Sequence, residues 1–170
     1  DTYRLTWNIS NAFDDKGGEL IRNTSQAIFA YVSNRIPEIA DDLYQIDDAV
    51  KAGFAWDLGA FEQSDIIGVQ KLYDDATAAG YQVADWVKEM LAAGHTTFYK
   101  VEGGNRLFYD IPTKSYKVIP GTEELIFLDY LRDTNVVWKN TGSSLFDLGD
   151  GVLGFEFQTK MNSIGGEVLE

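Results

Sequence analysis

At His95 the hydrophobic period of this 170-residue chain changes, and that change limits what the chain can fold into. Before it, Leu20, Ile21, Ala27, Ile28, Tyr31 and Val32 recur at spacings of three and four, which predicts an amphipathic helix over residues 16–35. Asp14 and Asp15 stand where carboxylates favour the positive end of a helix dipole. Pro37 has no N–H to donate, so it either kinks this helix or starts another. Shorter helices are expected at 46–52, 61–67, 69–79 and 84–93, closed by Gly53, Gly68, Gly80 and Gly94 as left-handed caps. After His95, Thr97, Phe98, Tyr99 and Val101 lead through Glu102-Gly103-Gly104-Asn105 to Leu107, Phe108, Tyr109 and Ile111. Aromatic and β-branched residues around a Gly-Gly turn predict a hairpin. Tyr116 and Val118 suggest a third strand, and 125–132 fits either strand or helix. Residues 136–139, 144–148 and 152–159 read as further strands, with Asp150-Gly151 as a turn. The fold class is therefore α+β: an all-helical N-terminal half followed by a small antiparallel β region.

A hydrophobic content of 45% with 14% aromatics indicates a packed core, and 170 residues suffice to bury roughly 70% of the unfolded surface. The net charge of −13 makes nucleic acid and anionic membranes poor partners. The chain has no cysteine, which excludes disulfides, thiolate metal sites and cysteine nucleophiles. No apolar run approaches a membrane span, and no signal-peptide pattern opens the chain. The expectation is a soluble cytoplasmic protein. The chain opens at Asp1 and stops at Leu169-Glu170 inside what reads as a new helix, so it is expected to be cut from something longer.

Two stretches carry family resemblances. Ile46-Asp47-Asp48-Ala49-Val50-Lys51-Ala52-Gly53-Phe54 and Gly59-Ala60-Phe61-Glu62 follow the order of an I-D-x-A-M-x-x-G-F helix and a G-P-F-E turn. In this they resemble the C-terminal helical domain of 3-hydroxyacyl-CoA dehydrogenases, with Val50 in place of the usual methionine and Ala60 in place of the usual proline. Further on, Leu148-Gly149-Asp150-Gly151-Val152 and Phe157-Gln158-Thr159-Lys160-Met161-Asn162-Ser163-Ile164 are similar to the opening of an enoyl-CoA hydratase, or crotonase-fold, domain. Together they imply a bifunctional dehydrogenase/hydratase of fatty-acid β-oxidation. The implied layout is a helical dehydrogenase-like domain over 1–95, a β-hairpin connector over 96–135, and the first strands of a truncated hydratase over 136–170. In the dehydrogenase family the redox step belongs to a separate nucleotide-binding domain. The resemblance therefore implies NAD for the parent protein, with no cofactor, metal or catalytic residue in this chain. It also implies acyl-CoA as the parent's substrate, and the parent's dehydrogenase and hydratase domains as partners. Lys160, Met161 and Asn162 correspond to the loop that approaches coenzyme A in crotonases, and homo-oligomerisation through the tail is a further expectation.

The residues themselves point the same way. Glu102-Gly103-Gly104-Asn105 has neither the G-x-G-x-x-G spacing nor a following helix to hold a pyrophosphate. A lone His95 after a helix-ending glycine reads as a C-terminal cap rather than a general base. Asp14-Asp15, Asp41-Asp42, Asp47-Asp48 and Asp74-Asp75 are adjacent pairs whose side chains diverge by about 100° on a helix, so they read as solvated faces rather than metal sites. Arg35 with Glu38 and Asp42 reads as an ion-pair cluster holding a kinked helix rather than a carboxylate-binding site. Trp7, Trp56, Trp86 and Trp138 read as core or interface anchors, with Trp56 wedged between short helices and clustered with Phe54 and Phe61. Within 97–119, Lys100, Arg106, Lys114 and Lys117 outnumber Glu102 and Asp110. That hairpin either lines a path for an acyl-CoA phosphate or presents a solvated lysine face that blocks edge pairing. The alternative to the whole reading is a free-standing acidic interaction module.

Overall fold

The computed structural model describes residues 2–132 and 134–169. Its elements are α+β, with helices first and two separate three-stranded antiparallel sheets after them. The chain clusters into two compact units: Asp1–Lys100 with Leu107–Ile119, and Val101–Arg106 with Pro120–Glu170.

In the first unit α1 (Thr2–Ala12) precedes the first helix anticipated from the sequence, whose pattern of Leu5, Trp7 and Ile9 is too short to stand out. α2 (Lys16–Ser33) starts where expected, because the Asp15 carboxylate accepts from Gly18 N–H at 2.8 Å. It ends two residues early, at the Asn34 cap. Pro37 neither kinks α2 nor starts a helix; it lies in the following turn with a cis bond to Ile36. α3 (Leu43–Phe54), α4 (Ala60–Ile67), α5 (Val69–Ala78) and α6 (Asp85–Ala92) follow. Gly80 and Gly94 close α5 and α6 as anticipated. Tyr81 and His95 N–H reach back to the carbonyls of Ala76 and Met90, and the glycine N–H groups reach Thr77 and Leu91. This double bond is the Schellman closure that a left-handed residue permits. Gly53 is not a cap. It sits inside α3, and Ala55 takes the left-handed conformation at φ 53°.

β1 (Tyr99–Glu102), β2 (Asn105–Asp110) and β3 (Ser115–Val118) lie in the order β1-β2-β3, with Leu107 opposite Val118 and Asp110 opposite Ser115. The core of the first unit joins helix and hairpin residues, with Phe29, Leu43, Phe61, Val87, Met90 and Phe98 all buried. Phe98 is its centre: its ring lies 5.0 Å from Phe61, edge to face, and 5.7 Å from Trp86. Burying one such side chain contributes roughly 1.5–3 kcal/mol.

In the second unit the ambiguous segment contains one helical turn, α7 (Leu128–Leu131). The second sheet holds β4 (Val136–Lys139), β5 (Ser143–Gly149) and β6 (Val152–Phe157) in that order. A 3-10 turn (Lys160–Asn162) and α8 (Gly166–Leu169) follow. Phe146 is fully buried on one face of the sheet, where Val136 and Gly154 flank it. The Arg132 guanidinium lies over its ring at 5.9 Å and donates to both Glu156 carboxylate oxygens, at 2.8 and 2.7 Å.

The tryptophans divide. Trp86 is half-buried and its indole N–H donates to the Ser33 carbonyl at 2.9 Å, as an anchor should. Trp56 does not wedge between helices. It and Phe54 are exposed and stack on each other at 6.0 Å, while Phe61 alone enters the core. With Gly53 helical, the chain leaves α3 two residues later than expected, and both aromatic rings project from the end of the helix into solvent.

Candidate functional site

The two motif segments meet in one buried junction. α4 begins at Gly59, a residue with no side chain to cap its own helix. The acceptor comes from α3 instead. Asp47 is fully buried, and its two carboxylate oxygens accept from Phe61 N–H at 2.9 Å and Glu62 N–H at 3.0 Å. These are two of the orphan donors that any helix start leaves. The reason for glycine at 59 follows directly, since a Cβ there would lie 2.2 Å from Asp47 Cγ. Glu62 closes the exchange by accepting from Gly59 N–H at 2.6 Å. Its other oxygen takes the Lys51 ammonium at 3.0 Å, so the buried Glu62 charge is paired. Lys51 also reaches Asp48 at 3.2 Å.

The Tyr99 hydroxyl donates to Asp47 Oδ2 at 2.9 Å, which ties the first strand of the hairpin to the same carboxylate. One helical turn along α4 from Phe61, Asp65 accepts from Phe98 N–H at 2.7 Å and Tyr99 N–H at 2.9 Å. Two carboxylates thus hold the start of β1 against the α3–α4 corner. Burial pushes the Asp47 carboxyl up to about 6, partly opposed by the Phe61 N–H and the Tyr99 hydroxyl and helped by the nearby Glu62 charge. Lys51 is raised, because its bonds to Glu62 and Asp48 outweigh the cost of partial burial. The reading of Asp47-Asp48 as a solvated pair is corrected at Asp47. The signal was available: a helix opened by glycine needs a foreign acceptor, and Asp47 is the motif carboxylate that supplies it. Chemically the junction is a closed set of donors and acceptors. Asp47 is fully buried and accepts three hydrogen bonds, which suits a structural cap.

Elsewhere the anticipated residues are placed as follows. His95 is half-buried and packs between Tyr109 and Tyr116, 5.3 Å from each ring, besides closing α6 with its N–H. The hairpin lysines are engaged: Lys114 pairs with Glu89 at 2.7 Å, Lys117 with the buried Asp110 at 2.9 Å, and Lys100 sits 4.7 Å over the Tyr116 ring. Burial would raise Asp110, but bonds from Thr113 and Lys117 outweigh it and hold the carboxyl low. Arg35 pairs with Glu38 at 2.7 Å and lies over Tyr31, in the turn that follows α2. Gly103 and Gly104 join two strands, so the turn offers a dinucleotide no helix N-terminus and does not fit its pyrophosphate.

Lys160, Met161 and Asn162 form the exposed 3-10 turn after β6. Met161 and Asn162 are left-handed at φ 62° and 53°, and Ser163 Oγ donates to the Lys160 carbonyl at 3.1 Å. A cleft of about 380 Å³ in the second unit lies beside Gly103, Gly104, Tyr130, Leu131 and Asn135. Asn135 is already bonded, from its Nδ2 to the Asp147 carbonyl at 3.0 Å, and no charged side chain lines the cleft. Among the described residues no group of three or more His, Asp or Glu side chains is placed to hold a metal, and no helix is long and apolar enough to cross a membrane.

Over 158 residues, 92% of its length, the chain is 39% identical to a Bacillus subtilis (strain 168) protein named probable 3-hydroxyacyl-CoA dehydrogenase. The chain spans 20% of that relative's length. No family model matches the chain, and no solved structure matches it.

Proposed function

We propose that this chain is a structural and interdomain-packing segment of a fatty-acid β-oxidation polypeptide, a 3-hydroxyacyl-CoA dehydrogenase/enoyl-CoA hydratase. The observation that carries the reading is the junction of Asp47, Gly59 and Glu62. The motif residues shared with the dehydrogenase helical domain are consumed in holding α3, α4 and β1 together. The similarity to a protein named probable 3-hydroxyacyl-CoA dehydrogenase supports the dehydrogenase part of this assignment and weighs against a free-standing acidic module. On this reading residues 1–95 are the dehydrogenase-like helical domain, 96–135 the connector and 136–170 the first strands of the hydratase. NAD and the residues that transfer hydride belong to other parts of the parent, which acts on acyl-CoA in the cytoplasm. Lys160, Met161 and Asn162 then face coenzyme A once the hydratase is complete, and their exposure in a turn is compatible with that role.

Titration calorimetry of the 170-residue chain with NAD tests this reading, alongside NADH production from a 3-hydroxyacyl-CoA by the full-length relative. Activity in the relative, with no heat from this chain up to millimolar NAD, is the expected pair of results. Micromolar NAD binding by this chain would overturn the assignment.

A further inference from the structure

The Phe146 face of the second sheet holds a cavity of about 180 Å³, lined by Arg132, Val136, Lys139, Ser144, Phe146 and Gln158. Cross-strand partners in an antiparallel sheet share a face. Lys139, Ser144 and Glu156 therefore form one row across all three strands, beside the row of Val136, Phe146 and Gly154. No carboxylate lines the cavity, in a chain whose net charge is −13. Glu156 shares the row but is already satisfied, accepting from Arg132 at 2.8 and 2.7 Å and from Gln158 Nε2 at 2.7 Å. Among the described residues the Lys139 ammonium has no ion-pair partner. Ser144 is only 4% exposed, and its hydroxyl has no hydrogen-bond partner among them either.

We propose that this cavity binds a phosphate group, with Lys139 and Ser144 as its main contacts and Arg132 and Gln158 beside them. The supply of donors selects the ligand. A guanidinium has five N–H groups and a carboxamide two. Arg132 spends three, one on Asp129 and two on Glu156, and Gln158 spends one, so both keep donors in reserve. With the lysine ammonium and the buried hydroxyl added, the lining offers more donors than the about four lone-pair sites of a carboxylate accept. A phosphate monoester carries three strong acceptor oxygens and roughly two negative charges. The volume agrees, since about 180 Å³ equals the space of about six waters, enough for one phosphate and part of its hydration. A lysine on an edge strand such as β4 also serves to block pairing, but that role needs neither a cavity nor a buried hydroxyl beside it. The site uses no residue of the Asp47 junction and does not depend on the function proposed above.

Amide NMR of the 170-residue chain tests it, by titration with sodium phosphate at constant ionic strength and about pH 7.5, where phosphate is mostly dianionic. Saturating shifts centred on Lys139, Ser144 and Gln158 are expected, with a dissociation constant of roughly 1 mM or lower. Lys139→Gln should weaken binding at least about tenfold and Ser144→Ala about threefold or more, as the loss of one charge-assisted and one neutral hydrogen bond implies. Lys88→Gln, which removes the same charge from an exposed position in α6, should leave the affinity unchanged. Shifts that do not saturate, full affinity in Lys139→Gln, or an equal fall in Lys139→Gln and Lys88→Gln would overturn the proposal. Acetate binding as tightly as phosphate would overturn it too. Glycerol 3-phosphate distinguishes the source of the group. Binding at least as tight as that of inorganic phosphate supports a phosphate ester as the ligand, and binding of inorganic phosphate alone supports the free ion.

Discussion

Asp47 and Gly59 are one device divided between two residues, and their substitutions should behave accordingly. Asp47→Asn keeps the size but turns an amino group toward the N–H groups of Phe61 and Glu62, and should destabilise the chain by about 1–3 kcal/mol at pH 7. Its pH dependence has a definite sign. The Asp47 carboxyl titrates near 6 when folded and near 3.8 when unfolded, so between those values the folded state holds more protons. Stability from this group is fully present below about 4 and lost as the pH rises through 6. Asparagine lacks that gain, so the deficit of Asp47→Asn should be larger at pH 5 than at pH 7, as measured by urea unfolding. A deficit that shrinks on acidification would mean that burial does not dominate this carboxyl. Gly59→Ala should cost at least about 2 kcal/mol, because the new methyl would overlap Asp47 atoms that are themselves fixed. Gly53→Ala is the control. Nothing lies within 4 Å of its Cβ and its backbone is helical, so alanine should stabilise by about 0.5–1 kcal/mol. Equal effects at the two glycines, read by thermal melting, would show that the close approach at 59 is not what selects glycine there.

At the scale of elements, the hairpin is fastened to the helices through its first strand. Asp65 on α4 holds the N–H groups of Phe98 and Tyr99, and Asp47 on α3 holds the Tyr99 hydroxyl. Phe98 then fills the gap between Phe61 and Trp86. Asp65→Ala should cost roughly 1–3 kcal/mol and raise the exchange rates of the Phe98 and Tyr99 amides above those of the α5 amides. If all amides of the first unit accelerate together, β1 and the helices open only as one body and the local fastening is not separable. This attachment was not legible in the sequence. Helix and strand periods locate α2, α5, α6, β2 and β4 to within a few residues, because each period reflects one buried face. A contact between Asp65 and residues thirty-three positions later leaves no periodic trace.

For the whole molecule, the buried cluster of the first unit is complete without the second sheet, since its members run from Phe29 to Tyr109. A chain ending at Gly121 should therefore unfold cooperatively and retain the helical circular dichroism of α2–α6. Non-cooperative melting of that truncation would show that residues 122–170 belong to the same folding unit. The second sheet is different in kind, with Phe146 buried on one face and Phe155 and Leu153 bare on the other. By itself the sequence determined the order of elements from α2 to β3, the point at which helices give way to strands, the Asp150-Gly151 and Gly103-Gly104 turns, and the pairing of motifs that led to the dehydrogenase resemblance. Those follow from local backbone preference and the spacing of apolar residues. Only the tertiary structure decided that Asp47 is buried while Asp48 is not, that Ala55 rather than Gly53 turns left-handed, and that Phe61 enters the core while Phe54 and Trp56 stay outside. The physical reason is the same each time. Burial, and the bonds that satisfy a buried carboxylate, depend on which distant segment arrives there, and neighbours in sequence do not encode that arrival.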